Sequence, residues 1–181
     1  MAKKYIIHKG CHYSNFFPRI QLLSQVNYLS HHGCIVFDES CKYEIDEASC
    51  VNKLFGFCFG FGVHKNSVRF GWTYNAPTNQ IYIWKYFYID GKLEKEKIFA
   101  CEVGEQHFYE IVVDTANNDK DTYFIELRID NKKVYPQNDE YPKIQSNKCF
   151  ITTLGPYFGG NTRAPHTMKI EYYVREMTKA C

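Results

Sequence analysis

The chain has 181 residues, a formal net charge of +2, 45% hydrophobic residues and an aromatic share of 17%. That composition excludes a disordered chain, and the small mixed charge excludes a protein that lives on nucleic-acid phosphates. No apolar run approaches the ~18 residues of a membrane-spanning helix, so neither nucleic acid nor membrane is an expected partner.

Residues 1–30 read as an N-terminal arm packed on the domain that follows. The apolar run after its basic start, Tyr5-Ile6-Ile7, is too short for a signal-peptide core, so the expectation is synthesis in the cytoplasm without a signal peptide. Ile20, Leu22, Leu23, Val26 and Tyr28, after Pro18, predict one short helix over 20–28. Residues 31–181 read as a β-sandwich. Ile35-Val36-Phe37 is a strand, and 54–63 alternates Phe with Gly or Cys at the period of two that a half-buried strand requires. Ser67 to Tyr74 follows, then Gln80 to Ile89, apolar on both faces and so expected to be central. Asp90-Gly91 signals a tight hairpin, and the charged return Lys92 to Glu102 reads as a solvated edge. Strands are also expected over 108–114, 122–129, 133–135, 149–154 and 167–174, with a polar loop over 136–148. The eight cysteines include no C-x-x-C pair and no zinc-finger spacing, so they are expected as reduced, mostly buried thiols.

These elements predict an all-β fold, a two-sheet antiparallel sandwich with at most one or two short helices. The order of strand, loop, strand, tight turn and short strand over Tyr109 to Tyr135, with the closing Leu154-Gly155-Pro156-Tyr157-Phe158-Gly159-Gly160-Asn161 and Ala164-Pro165-His166, resembles the concanavalin A-like jelly-roll superfamily. That resemblance implies a fold shared by lectins, laminin-G modules, glucanases and several polysaccharide lyases. Three blocks, Lys9 to Ser14, Leu54 to Phe57 with His64 to Trp72, and Pro156 to His166, are similar to small proteins of gut Bacteroidota and their tailed phages. This narrower likeness implies a phage or host setting and carries no mechanism.

Catalytic sets are incomplete. Glu44 and Asp46 match the first two positions of a glucanase-type E-x-D-x-E strand, but Ala48 or Ser49 stands where the acid belongs. A polysaccharide lyase needs a base for the proton beside a carboxylate and a neutraliser for that carboxylate. His64, Asn66, Arg69, Arg163 and His166 are suitable types, but the R-x-E-x-R and Q-I-H signatures of alginate-lyase-like strands are missing. His64 and His166 lack a third metal ligand at diagnostic spacing, so no metal or other cofactor is expected. Trp72, Trp84, Tyr82, Tyr86 and Tyr88 are either a sugar-stacking platform or sandwich core. Arg69 and Arg163 are binding groups or the partners of a carboxylate such as Asp38.

The expectation that follows is a non-enzymatic recognition or structural module, an accessory component of a phage particle that binds other virion proteins and forms oligomers. The binding residues expected are His64, Asn66, Arg69 and Trp72 from one loop and strand, and Tyr157, Asn161, Arg163 and His166 from the other. The alternatives are a carbohydrate-binding, lectin-like module, and a polysaccharide lyase or glycoside hydrolase.

Overall fold

The computed structural model describes residues 2–22, 28–44, 50–60, 62–115, 122–138, 140–145 and 150–173. Two antiparallel sheets pack face to face. One contains β1 (Ala2–Ile7), β3 (Tyr28–Phe37), β8 (Gln106–Thr115), β9 (Thr122–Ile129), β10 (Lys132–Tyr135), β11 (Lys143–Gln145) and β13 (Met168–Tyr173). The other contains β2 (Ile20–Leu22), β4 (Asn52–Phe59), β5 (Ser67–Asn75), β6 (Gln80–Ile89), β7 (Lys92–Glu102) and β12 (Phe150–Leu154). The seven-stranded sheet runs β1-β13-β3-β8-β9, and β10 and β11 follow one another along the free edge of β9. The six-stranded sheet runs β2-β12-β4-β5-β6-β7. This is a jelly-roll β-sandwich.

Alternation builds the core. Along β5, Val68, Phe70 and Trp72 point inward with no exposure, and Arg69, Gly71 and Thr73 take the outer face. Opposite them the other sheet supplies Phe37, Tyr109, Ile111, Ile125 and Leu127. Each such side chain removed from water contributes about 1.5–3 kcal/mol. The β6–β7 and β9–β10 hairpins use primed turns: Asp90 and Gly91 have φ of 49° and 81°, and Asp130 and Asn131 have 51° and 64°. That backbone twist matches the twist of the flanking strands.

The structure corrects the sequence expectations at several places. Ile20–Leu22 is a strand at the edge of the six-stranded sheet, and Tyr28 opens β3, so the expected helix is not formed there; 23–27 lie outside the described residues. β3 extends back from the expected Ile35-Val36-Phe37 to Tyr28, through the polar Ser30, His31 and His32, because β8 pairs with them in register from Tyr28 opposite Asp114. β6 is the penultimate strand, with β7 outside it. The 136–148 loop contains β11. Among the described cysteines, Cys41, Cys58 and Cys101 are buried thiols and Cys11 is an exposed one. Cys149 and Cys181 lie outside the described residues, as do Asp46, Ala48 and Ser49 of the glucanase-like segment, while Glu44 is exposed. Among the described residues no helix is long and apolar enough to cross a membrane.

Candidate functional site

The outer face of the six-stranded sheet carries the chemistry. Gly56, Arg69, Tyr86 and Lys95 form one cross-strand row, and Lys53, Gly71, Trp84 and Lys97 form another. Gly56 is required at its place: a Cβ there would come within 2.8 Å of Arg69 Cα and Cγ, so the arginine stem lies across the β4 backbone. The Phe16 and Pro18 segment and the 154–161 loop rise beside these rows and close a cleft of about 530 Å³.

Lys53 is held at the cleft wall. Its backbone exchanges both hydrogen bonds with Tyr157, at 2.8 and 3.0 Å. Its Nζ donates to the Gly159 carbonyl at 3.0 Å and stands 4.6 Å from the Tyr86 ring centre and 5.7 Å from that of Tyr157. Burial, reinforced by the Arg69 charge, pulls this amine down to about 8. Arg69 is also short of solvent, which lowers it to about 10, and its Nε is buried without a hydrogen-bond partner. Neither cation has a carboxylate within ion-pair distance among the described residues.

Tyrosines complete the walls. Tyr86 is held protonated by burial and then by its hydrogen bond with Tyr88. Burial also raises Tyr157, whose ring stacks on His12 at 5.1 Å and meets Tyr13 edge-on at 5.0 Å. His12 is fixed in turn by Nδ1, which donates to the Phe158 carbonyl at 2.9 Å. No Asp or Glu lines the cleft among the described residues. A concave site with two desolvated cations, several phenols and no acid among the described residues has the electrostatic character that suits an anion.

The expected site residues divide. Arg69, Tyr157, His64 and Asn161 meet at this cleft, with His64 edge-on to Tyr88 at 4.9 Å and Asn161 exposed at the rim. Asn66 is buried nearby, where its Oδ1 accepts the Asp90 N–H at 2.8 Å and braces the β6–β7 turn. Trp72 is in the core against Phe37 and Tyr43, away from any sugar-stacking face. Trp84 and Tyr82 are on the outer face, where Trp84 Nε1 donates to Thr73 Oγ1 at 2.9 Å and Lys97 Nζ lies 4.2 Å over the Tyr82 ring. Arg163 reaches the Gly10 carbonyl at 3.5 Å, and His166 Nε2 donates to the Ser40 carbonyl at 2.8 Å; neither lines the cleft. Asp38 caps the 3₁₀ turn Glu39–Cys41 through the Ser40 N–H and is not an arginine partner. Among the described residues no three metal-ligating side chains cluster. Sequence reasoning missed Lys53, Tyr13, Phe16 and Pro18. For Lys53 a signal existed, since it is the one charged residue in a strand buried along its whole length.

No family model matches the chain, and no curated protein matches it. Solved structures do. The alginate lyase Aly36B superposes with a TM-score of 0.64 at 13% identity, over 94% of this chain and 77% of that one. The alginate lyase vAL-1 from Chlorella virus gives 0.60 at 13% identity, over 94% and 81%. The marine PL-14 alginate lyase from Aplysia kurodai gives 0.56 at 12%, over 95% and 80%. At these identities the likeness is one of fold. It overturns the expectation of a non-enzymatic phage-particle component, because the structures that superpose on 94–95% of this chain are alginate lyases.

Proposed function

We propose that the protein is a polysaccharide lyase that cleaves a uronate polymer of the alginate type by β-elimination. The observation that carries this reading is the acid-free cleft holding Lys53 and Arg69 without carboxylate partners. The fold shared with alginate lyases supports it. A retaining or inverting hydrolase needs two carboxyl groups across the scissile bond, and the described cleft offers none.

In this mechanism the Arg69 guanidinium pairs with the uronate carboxylate and makes the adjacent C–H acidic. Lys53, as the free amine, takes that proton; it keeps an N–H for the Gly159 carbonyl while its lone pair faces the substrate. The electrons of the broken C–H bond form the ring double bond as the C–O bond to the leaving sugar breaks. The Tyr157 hydroxyl, held protonated by burial, supplies the proton to the leaving oxygen. Tyr86, Tyr88 and Tyr13 provide flat faces for the sugar rings.

The test is ultraviolet absorbance of unsaturated uronides released from a panel of polyuronates. Activity on one of them, lost in Lys53→Met with the circular dichroism spectrum unchanged, is the expected result. Retarded migration of the protein in polyuronate gels with no product from any polymer would leave a glycan-binding module and sink the lyase.

A further inference from the structure

A second cleft, of about 670 Å³, shares Phe16 and Pro18 with the first as lining. It lies on a different part of the molecule, between β1, β3 and β13 of the seven-stranded sheet and Thr153 of β12. Its aromatic wall is built rather than incidental. Phe16, Tyr5 and Tyr172 form a ladder with ring centres 5.7 and 5.5 Å apart. A Cβ on Gly155 would fall 2.1 Å from Phe16 Cγ, and one on Gly33 would fall 2.3 Å from Tyr172 Cε2, so both rings are seated directly on backbone that only glycine provides. The Tyr172 hydroxyl donates to the His32 carbonyl, and Phe17 stands 86% exposed at the mouth.

The charge of this cleft is one-sided too. Lys3 and Arg19 line it without an ion pair among the described residues. Arg19 is placed there by its backbone, which exchanges hydrogen bonds of 2.8 Å with the Thr153 side chain and main chain. Lys4 is occupied by Glu171 at 2.8 Å, and no Asp or Glu lines the cleft among the described residues. Cations beside fixed aromatic faces suit a ligand that has both carboxylates and C–H-bearing ring faces. A chain whose net charge is only +2 is poorly suited to a polyphosphate backbone.

We propose that this second cleft is a holding site for an acidic oligosaccharide segment, and that a polyuronate long enough to cross the Phe16–Pro18 ridge engages both clefts at once. The proposal rests on the lyase reading for its substrate, and its function is to raise the local concentration of polymer at the cleavage site. The experiment compares the full chain with a Lys3→Glu/Arg19→Glu double variant, both positions being on the surface. On long polyuronate the variant should show a KM raised about tenfold with kcat unchanged, and its turnover of a tetrasaccharide should stay at the parent value. Identical KM on the long polymer would overturn the proposal. If no polymer is cleaved, electrophoresis in gels containing polyuronate, a neutral glucan or single-stranded DNA separates the two readings. Retardation by polyuronate alone, lost in the double variant and kept in Arg69→Met, would preserve the holding site after the lyase has failed. Retardation unchanged in the double variant, or equal retardation by DNA, would overturn it.

Discussion

Two lysines sit buried on strands of one sheet and meet opposite fates. Lys85 of β6 turns toward the sheet edge, where Glu94 lies at 3.2 Å, Glu96 at 3.8 Å and the Tyr135 hydroxyl at 3.3 Å. Burial pulls its pKa down, but the Tyr135 and Glu94 contacts outweigh this and leave it above the ordinary lysine value. Lys53 of β4 is buried to a similar degree with a backbone carbonyl and two phenol rings for company, and it falls to about 8. The difference is the partners: the Tyr135 hydroxyl first, and then the Glu94 carboxylate. The fold gives Lys85 these partners and gives Lys53 and its neighbour Arg69 no carboxylate among the described residues, which is the feature the lyase reading uses.

The sharpest way to break this contrast is to remove each cation in turn. Lys53→Met and Arg69→Met should each lower kcat/KM on polyuronate by about 10²–10³-fold. Neither should lower the melting temperature, because each removes a desolvated charge that has no counter-ion in the protein. A variant that unfolds would show that the charge is structural after all, and Lys53 would then belong with Lys85.

The pH dependence comes next. As a base Lys53 must be deprotonated, so kcat/KM should rise about tenfold per pH unit toward pH 8 and level off above it. Stability has the same sign. Between about 8 and the ordinary lysine value the unfolded chain holds the proton and the folded chain does not, so stability rises with pH across that window. Below about 8 both states are protonated and the full cost of the buried charge is present. Lys53→Met should flatten both curves, as followed by initial rates and by urea melts. A rate that is flat from pH 6 to 9 would rule out Lys53 as the base.

Lys85→Met tests the other half of the contrast. It should cost about 1 kcal/mol in urea unfolding at neutral pH, since two exposed glutamates lose a partner they can replace with water. Catalysis should stay within about twofold, because Lys85 faces away from the cleft. A large loss of activity would mean that the β6–β7 edge shapes the site.

How far the sequence foretold this arrangement depends on the range of the interactions. β6 and β7 are observed over the residues expected, Gln80–Ile89 and Lys92–Glu102, because alternation and the Asp90-Gly91 turn are local signals. The start of β3 was missed because Ser30, His31 and His32 carry no apolar pattern and are held by a register with β8. Arg69 and Tyr157 were marked by type alone. For Lys53 the local signal, a lone charge in an otherwise uncharged strand, marks the residue but not its role, which is made by Tyr157 and Gly159, more than a hundred residues away in the chain.

The smallest predicted effect converts one environment a step toward the other. Asn161→Asp would place a carboxylate at the rim of the acid-free cleft, on an exposed loop that tolerates the change. A negative charge there favours the protonated amine, so the rising limb of the rate profile should move to higher pH, by less than one unit because the rim is solvated. It should also repel the uronate and raise KM about two- to threefold, an effect that shrinks in high salt. Initial rates across pH at low and high ionic strength would read both. A KM that falls, or a profile that moves to lower pH, would mean that the cleft does not take an anion, and the contrast between the two lysines would lose its functional meaning.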